Sequence, residues 1–302
     1  MPQKVTVNHD YHNCRFDRWF KANVISLPQS LIEKIIRLNK VKINRKKIKS
    51  SYRVQTGDII EIYDISKFKI SDRPKISKYK PSRKEVDIYD DYILENNDNF
   101  VVINKPRGIA VQSGTKSFRN IIDVLKDSKY FENTKPYIVH RLDKETSGIL
   151  IVAKTREYAQ LFTSLFRIRK IHKTYIALTY GKVSKKIKTL KDDLITFEKD
   201  KKVIQKAISH VKILKNSTDY TYVELNPITG RKHQLRKQLY NIGNPIIGDD
   251  KYFINRRADK IKIKNKNLML HAYKIKFMIN NVQYNFKAEY DKDFEDFIKK
   301  NF

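Results

Sequence analysis

A short polar loop between two apolar segments carries the clearest chemistry in this chain. The residues His-Arg-Leu-Asp-Lys-Glu-Thr-Ser-Gly occupy positions 140–148, directly before the apolar run 149–153. Such a loop holds Asp143 rigidly at a strand edge, where a carboxylate can act as a nucleophile or accept a proton. A charged surface turn is the ordinary alternative, but such turns more often contain Asn-Gly or Asp-Gly and have less apolar flanks.

Two nucleotide-binding motifs resemble parts of this sequence and are excluded. The order His-Arg-x-Asp suggests a kinase catalytic loop, but Leu142 separates the arginine from the aspartate and no Asp-Phe-Gly follows. The segment that starts at Gly108 resembles a phosphate loop. However, five residues separate Gly108 from Gly114 where the motif has four, and Thr115 stands between Gly114 and Lys116. Neither a kinase nor a P-loop nucleotide hydrolase is therefore expected.

A second polar cluster, Thr-Gly-Arg-Lys-His-Gln-Leu-Arg, occupies positions 229–236 and is followed by Asn-Pro-Ile-Ile-Gly-Asp-Asp-Lys-Tyr at 244–252. Thr229 and Gly230 predict a helix start, and Leu235, Leu239 and Ile242 predict its buried stripe. Arg236 lies beside that stripe, so its guanidinium is expected to be partly buried and to need a carboxylate, for which Asp143 is the predicted partner. Arg231 fits a basic surface helix almost as well as a functional site.

The charge of the chain indicates a polyanionic partner. The 302 residues include 64 Lys and Arg against 33 Asp and Glu, which gives a formal net charge of +31. Codon bias towards A and T accounts for some of the lysine, but it does not explain a twofold excess over acidic residues. RNA or DNA is therefore favoured over an anionic membrane, because no segment combines a basic face with a broad apolar one. Between residues 30 and 55 the cluster is densest, and phosphate binding is predicted for Lys34, Arg37, Arg45, Lys46 and Lys47.

Hydrophobic patterning divides the chain into a small α/β module at 14–63, a linker at 64–85 and a larger domain at 86–302. In the module, Ser30 is predicted to cap a helix that precedes two short strands. The larger domain is predicted to contain strands at 100–103, 149–152, 175–180, 208–214, 220–225, 272–277 and 282–286 and helices at 119–126, 155–170, 230–241 and 291–300. Because strands outnumber helices without βαβ alternation, the fold class is predicted to be α+β with a mixed, largely antiparallel sheet. Residues 185–202 and 255–266 are charged and poorly patterned, which predicts surface insertions.

Together these motifs resemble the RluA family of pseudouridine synthases. HRLDKETSG, KTY at 173–175, TGRKHQLR and NPIIGDDKY follow the family's order across residues 86–290, with INKPRG upstream. The amino-terminal module resembles an S4 RNA-binding domain, a combination found in family members that modify large-subunit ribosomal RNA. Gln112 and Gln238 stand where many relatives have histidine; because they lie beside the motifs, they bear on target choice more than on the reaction.

The resemblance implies that uridine is isomerised to pseudouridine by a flipped-base mechanism that needs no cofactor and no metal. Asp143 matches the catalytic aspartate, and Arg236 matches the arginine expected to keep that aspartate ionised. Tyr175 matches an active-site tyrosine that stacks on the uracil and assists proton removal, although a tyrosine in a strand core is a serious alternative. Arg141 is expected to fill the space that the flipped base leaves, and His140 to position the loop and contact substrate. Lys105 and Arg231 are predicted to contact RNA.

Other functions remain open at this point. The partner is predicted to be 23S ribosomal RNA or its assembly intermediates, with transfer RNA or another RNA as the alternative substrate. A non-catalytic ribosome-assembly factor would be expected to have lost Asp143, Tyr175 or Arg236, and a DNA-binding regulator would need a recognisable DNA-binding motif. The amino terminus lacks the apolar core of a secretion signal, so a cytoplasmic protein without membrane attachment is expected. The protein is also expected to be a monomer. The single Cys14 excludes multi-cysteine metal sites.

Overall fold

A computed structural model describes residues 2–68, 79–114, 118–198, 201–253 and 267–302. The chain divides into two compact units, residues 1–78 and 79–302, and each has its own hydrophobic core. The predicted insertion at 255–266 and residues 69–78 of the predicted linker lie outside the described residues. No helix within the described ranges is long and apolar enough to cross a bilayer.

The first unit packs two helices on short antiparallel strands. Its elements are β1 (Gln3–Thr6), β2 (Cys14–Arg15), α1 (Phe16–Asn23), α2 (Gln29–Arg37), β3 (Val41–Ile43), β4 (Arg53–Val54) and β5 (Ile59–Ile62). The strands pair in the order β1-β5-β3, with β2 and β4 as a separate pair. Phe16, Trp19 and Phe20 of α1 are fully buried against this framework, so the unit has a core of its own, and it begins before residue 14.

The predicted helix and strands of this unit are confirmed, but the predicted capping residue was wrong. Helix α2 begins after Pro28, whose carbonyl oxygen accepts hydrogen bonds from the backbone N–H groups of Leu31 and Ile32. Ser30 lies inside the first turn and makes no cap. The ring of proline fixes the backbone torsion that the start of a helix requires, so the chain enters the helix two residues earlier than a serine cap would allow.

The second unit is built around one large sheet. Its elements are α3 (Arg83–Ile88), β6 (Ile93–Asn96), β7 (Phe100–Lys105), α4 (Ile121–Lys126), β8 (Tyr137–Ile138), β9 (Ser147–Ala153), α5 (Arg156–Arg167), β10 (His172–Tyr180), β11 (Thr189–Glu198), β12 (Lys201–Asn216), β13 (Tyr220–Pro227), α6 (Gln234–Asn241), β14 (Leu270–Ile279), β15 (Val282–Lys287) and α7 (Lys292–Asn301). The main path of the sheet is β11-β12-β13-β10-β14-β9-β7-β6. Every pair of these strands is antiparallel except β9 with β14, which confirms the predicted fold class.

One predicted surface insertion is instead part of the sheet. Residues 189–198 form β11, which pairs in unbroken antiparallel register with β12 from Thr189↔His210 to Glu198↔Lys201. Leu190 and Leu194 are buried on one face of this hairpin, which also carries Asp192, while Lys191, Asp193 and the exposed Ile195 lie on the other. Because both faces mix apolar and charged residues, the two-residue alternation of the strand is hard to see in the sequence.

The single parallel pair places the polar loop that carries Asp143. Ser147 and Gly148 at the start of β9 lie opposite His271 and Ala272 of β14. A Cβ atom on Gly148, whose φ is +107°, would collide with the backbone of Ala272, so only glycine allows this close approach. The buried Ser147 hydroxyl also lies 2.9 Å from His271 Nδ1. These contacts fix the carboxyl-terminal end of the loop against the centre of the sheet.

Lys105 fixes the same loop from the other side, and the prediction that it contacts RNA was wrong. Its side chain is 0% exposed, and its Nζ atom donates hydrogen bonds to the carbonyl oxygens of Pro106, Ile109 and Lys144 at 2.8, 3.0 and 3.2 Å. Burial lowers the pKa of Lys105 to about 7. The residue therefore ties the turn after β7 to the residue that follows Asp143.

Lys105→Met should destabilise the second unit without weakening RNA binding by the folded protein. The variant leaves three carbonyl oxygens without their donor, so the free energy of unfolding should fall by about 2 to 4 kcal/mol. Chemical denaturation measures this loss, and Lys232→Met is the matched control because Lys232 is exposed at the rim of the cavity described below. Unchanged stability, or a loss of affinity with full stability, would contradict the buried role.

Candidate active site

An open cavity of about 1160 Å³ brings six of the twelve predicted site residues together. It lies among the loop 139–146, the start of β10, the segment 227–233 and helix α6. Six predicted residues line it, namely Asp143, Tyr175, Arg236, Arg141, His140 and Arg231. Lys105 is buried beneath the loop instead. The five basic residues of the amino-terminal cluster, Lys34, Arg37, Arg45, Lys46 and Lys47, are all exposed and belong to the first unit.

Asp143 faces a histidine across the cavity. Its side chain is 31% exposed, and its Oδ1 atom lies 3.6 Å from Nε2 of His233. The Asp143 carbonyl oxygen accepts a hydrogen bond from the backbone N–H of Thr146 at 3.1 Å, which closes a tight turn around the residue. The carboxylate is thus held in place by its backbone while its oxygens stay accessible from the cavity.

The predicted direct pairing of Arg236 with Asp143 was wrong. Arg236 Nε donates to Asp249 Oδ2 at 2.7 Å, and Nη2 donates to Asp249 Oδ1 at 2.6 Å. The two side chains are 6% and 0% exposed. A planar guanidinium matches a carboxylate in this two-bond geometry, and the glycine turn before Asp249 brings that carboxylate beneath α6. Asp250, 86% exposed, adds a weaker contact at 3.3 Å.

Asp249 is held as a buried anion. Burial alone would raise the pKa of its carboxyl, but the hydrogen bond from Arg236 and that from the backbone N–H of Tyr252 hold this pKa below its usual value. In turn, burial would lower the pKa of Arg236, whereas Asp249 and then Asp143 keep it above its usual value. Asp143 therefore interacts with Arg236 electrostatically across the cavity, without a hydrogen bond.

His233 connects this pair to Asp143. It precedes α6 in the left-handed conformation, with φ +54°, which costs about 1 to 3 kcal/mol for a residue other than glycine. The conformation aims the ring into the cavity, where Nδ1 lies 2.8 Å from the Tyr252 hydroxyl. Burial lowers the pKa of His233, and Asp143 opposes that shift. The tyrosine hydroxyl fixes the ring so that Nε2 faces Asp143.

Tyr175 lies inside the cavity, on strand β10. A register shift between Thr174 and Tyr175 interrupts the pairing of β10 with β14, and such irregularities often redirect a side chain at a functional site. Burial and then the nearby Asp143 carboxylate raise the pKa of the Tyr175 hydroxyl further above its usual value. The side chain is therefore a neutral phenol at physiological pH, which offers a ring face and an O–H donor and is not a base.

His140 and Arg141 begin the loop in different environments. The backbone N–H of Ile151 donates to His140 Nε2 at 2.8 Å, and the ring packs on Phe166 at 4.7 Å between centroids. Burial, together with the nearby Lys173, lowers the pKa of His140 to about 3, so the ring is neutral and anchors the loop to β9. Arg141 is exposed at the cavity rim.

Four residues of the cavity region were not selected as functional from the sequence, although each stands in a motif quoted above. His233 belongs to TGRKHQLR, Lys173 to KTY, and Asp249 and Tyr252 to NPIIGDDKY. Motif membership was the available signal, but contacts between these segments depend on the fold. Among the described residues, no group of three or more His, Cys, Asp or Glu side chains is placed to hold a metal ion.

Comparison with known proteins identifies the family of this chain. Residues 99–241 match the family model described as RNA pseudouridylate synthase. The ribosomal large subunit pseudouridine synthase C of Haemophilus influenzae is 32% identical over 291 residues, which cover 90% of this chain and 86% of that protein. The enzyme of the same name from Rickettsia bellii is 35% identical over 287 residues, which cover 90% of this chain and 91% of the relative.

Solved structures support the same assignment. The structure titled Human RNA Pseudouridylate Synthase Domain Containing 4 superposes with a TM-score of 0.60 at 28% identity, covering 70% of this chain and 92% of that one. A second human structure, Domain Containing 1, shares the fold with a TM-score of 0.55 at 21% identity. The family predicted from the loop and helix motifs is confirmed: this chain belongs to the RNA pseudouridylate synthases.

Proposed function

We propose that this enzyme converts specific uridines of 23S ribosomal RNA to pseudouridine and that Asp143 carries the reaction. The observation that supports the catalytic part most directly is the accessible Asp143 carboxylate, placed in one cavity with Tyr175, His233 and Arg236. The relatives that cover nearly the whole chain are named for the ribosomal large subunit, which supports the choice of RNA.

The proposed reaction exchanges one bond to the ribose for another. The bond between C1′ of the ribose and N1 of uracil breaks, the base rotates, and a bond forms from C1′ to C5. The proton on C5 is lost and N1 gains one, so no electrons are exchanged with a cofactor. Asp143 either attacks C1′ or removes a ribose proton while the base departs, and both roles need an ionised carboxylate.

The groups around Asp143 leave its carboxylate open to the substrate. Arg236 contributes a positive potential but is held by Asp249, so it does not occupy the Asp143 oxygens that must react. His233, fixed by Tyr252, faces one carboxylate oxygen and leaves the other for the substrate.

The remaining cavity residues fit a uridine that has been turned out of its helix. Tyr175 offers a ring on which the uracil can stack, and stacking on an aromatic side chain contributes about 1 to 3 kcal/mol per base. Removing a base from a helix costs a few kcal/mol. Arg141 is exposed at the rim, so its side chain is placed to fill the space left in the RNA.

Within the first unit, residues 14–63 are proposed to form an S4-like RNA-binding module, joined by a linker at 64–85 to a catalytic domain at 86–302. Its five exposed cations lie on α2 and in the turn after β3, where Asn44 and Arg45 both adopt positive φ angles of +48° and +66°. A turn of this kind projects neighbouring basic side chains outward, where they can bind phosphates. The enzyme is proposed to act as a cytoplasmic monomer without metal or membrane attachment.

A transfer RNA or another RNA is the alternative substrate. A basic cavity of this kind accepts a flipped uridine from any RNA, and target choice then depends on the first unit and the cavity rim. The same enzyme would then leave ribosomal RNA unmodified and modify transfer RNA in vitro. A non-catalytic ribosome-assembly factor is less well supported because Asp143, Tyr175 and Arg236 are all present and line one cavity.

Asp143→Asn should abolish turnover and preserve RNA affinity. Amide and carboxylate have the same shape, but the amide neither attacks C1′ nor accepts a proton, so the single-turnover rate should fall by more than about 10⁴-fold. Purified protein, 23S ribosomal RNA transcribed in vitro and chemical detection of pseudouridine measure the rate, and filter binding measures affinity. Retained turnover would refute the role of Asp143.

Asp249→Asn should impair both folding and catalysis, while Asp250→Asn should have little effect on either. Removing the buried charge leaves Arg236 with an incomplete partner and should cost about 3 kcal/mol of unfolding free energy. The pKa of Asp249 is lowered in the fold from 3.8, so its contribution to stability is complete above the unfolded pKa and is lost as pH falls through the folded one. In acid-unfolding experiments followed by circular dichroism, Asp249→Asn should therefore have a lower free energy of unfolding at neutral pH. That free energy should also depend less on pH than in the wild-type protein. Equal effects of the two variants would contradict the pairing.

Neutralising the five basic residues of the first unit to Gln should weaken RNA binding. For each phosphate that the variant no longer binds, the dependence of log affinity on log salt should become shallower by about 0.7 to 0.9, while the single-turnover rate at saturating RNA is kept. The matched control neutralises five exposed lysines of the second unit that do not line the cavity, namely Lys182, Lys185, Lys186, Lys212 and Lys215. If both variants bind alike, the first unit has no specific role in RNA binding.

A further inference from the structure

Lys173 brings a positive charge into the cavity without a carboxylate to neutralise it. It lies on β10 two residues before Tyr175, and both side chains line the cavity. The side chain is partly buried, and burial lowers the pKa of its ammonium group with no acidic residue opposing the shift. Within the described part of the chain, its Nζ atom has no hydrogen-bond or ion-pair partner. Arg236, in contrast, forms an ion pair with Asp249.

An unpaired cation that is partly removed from water is costly for the free protein. Buried charges are ordinarily paired, and an uncompensated one destabilises the fold unless something offsets the loss of hydration. The cost is offset when a ligand supplies the anion. Since the substrate of this enzyme family is RNA, the anion that enters the cavity with the uridine is a phosphodiester.

The place of Lys173 in the cavity fits such a group. Its Nζ atom lies 3.9 Å from the position that a Cβ atom would take on Gly230, so the absence of a side chain there leaves room beside the ammonium. Lys173 also lies close enough to His140 to act on it electrostatically, and it lines the same cavity as Asp143.

Two exposed arginines line the same cavity as Lys173. Arg167 ends α5 and Arg169 follows it with a φ of +60°, in the turn that leads the chain into β10. Both are exposed and both line the same cavity. Arg167 and Arg169 therefore add two exposed positive charges to the cavity that the less exposed Lys173 also lines.

We propose that Lys173 binds the phosphodiester attached to the flipped uridine and that Arg167 and Arg169 bind the adjoining backbone phosphates. Residues two apart on a strand are about 7 Å apart, which is comparable to the separation of base and phosphate in one nucleotide. A uracil stacked on Tyr175 consequently places its own phosphate at Lys173. This inference rests on the proposed function and adds a phosphate subsite to it.

Lys173→Met tests the subsite, with Lys173→Arg as the variant that keeps the charge and Lys170→Met as the control. Lys170 is exposed on the same segment and does not line the cavity. Binding is measured in the Asp143→Asn background, to a 23S ribosomal RNA fragment that contains a uridine mapped as a target of the wild-type enzyme. Lys173→Met should lose roughly 10- to 100-fold in affinity, with a salt dependence shallower by about 0.7. Lys173→Arg should retain most of the affinity, and Lys170→Met should resemble the parent.

A single uncharged methylphosphonate linkage, placed on either side of the target uridine, identifies the phosphate. The parent should bind one of these two RNAs more weakly than it binds the unmodified RNA. Lys173→Met should bind that same RNA as tightly as it binds the unmodified RNA. If, for both linkages, the loss of affinity caused by the linkage added to the loss caused by Lys173→Met, the subsite would be refuted. A Lys173→Met variant that keeps the parental affinity and salt dependence would also refute it. Failure of the wild-type enzyme to form pseudouridine in 23S RNA would instead refute the proposed function, so the two failures are distinguishable.

Discussion

The buried pair of Arg236 and Asp249 is the interaction on which the arrangement of the cavity depends. It anchors the start of α6 to the Gly-Asp-Asp turn, and it fixes a positive potential near Asp143 without blocking the carboxylate. Because two buried charges are costly unless their geometry is good, the two-bond contact matters for stability as well as for function. Tyr252 lies beside the guanidinium at 5.2 Å and holds His233 through its hydroxyl. The pair therefore organises two further side chains, Tyr252 and His233, around Asp143.

The loop that carries Asp143 is held independently of that pair. The parallel contact of β9 with β14 fixes its end, Lys105 fixes the residue after Asp143, and His140 fixes its beginning to Ile151. These three anchors leave Arg141 and Lys144 of the loop exposed. A rigid loop facing a rigid helix is the arrangement expected of a site that must hold its catalytic groups within fractions of an ångström.

Sequence patterns predicted the strands and helices better than they predicted side-chain partners. Apolar runs and alternation located the central strands, whereas β11 carries apolar and charged residues on both faces, which concealed its alternation. Lys105 ends a strand before Pro-Arg-Gly, a context typical of a surface turn, and only the fold shows that the turn closes over it. Likewise, motifs identified Arg236 and Asp143, but the choice between Asp143 and Asp249 as the partner of Arg236 depends on how the segment after α6 returns to the helix. Contacts between distant segments are properties of the fold, which a single sequence does not specify locally.

The most direct measurement is a map of pseudouridine in ribosomal RNA from cells that lack this gene and are complemented with either wild-type protein or Asp143→Asn. The wild-type protein should restore modification at a defined set of uridines in 23S ribosomal RNA, and Asp143→Asn, expressed at the same level, should restore none. Restoration of these sites by Asp143→Asn, or identical 23S maps with and without the gene, would contradict the account.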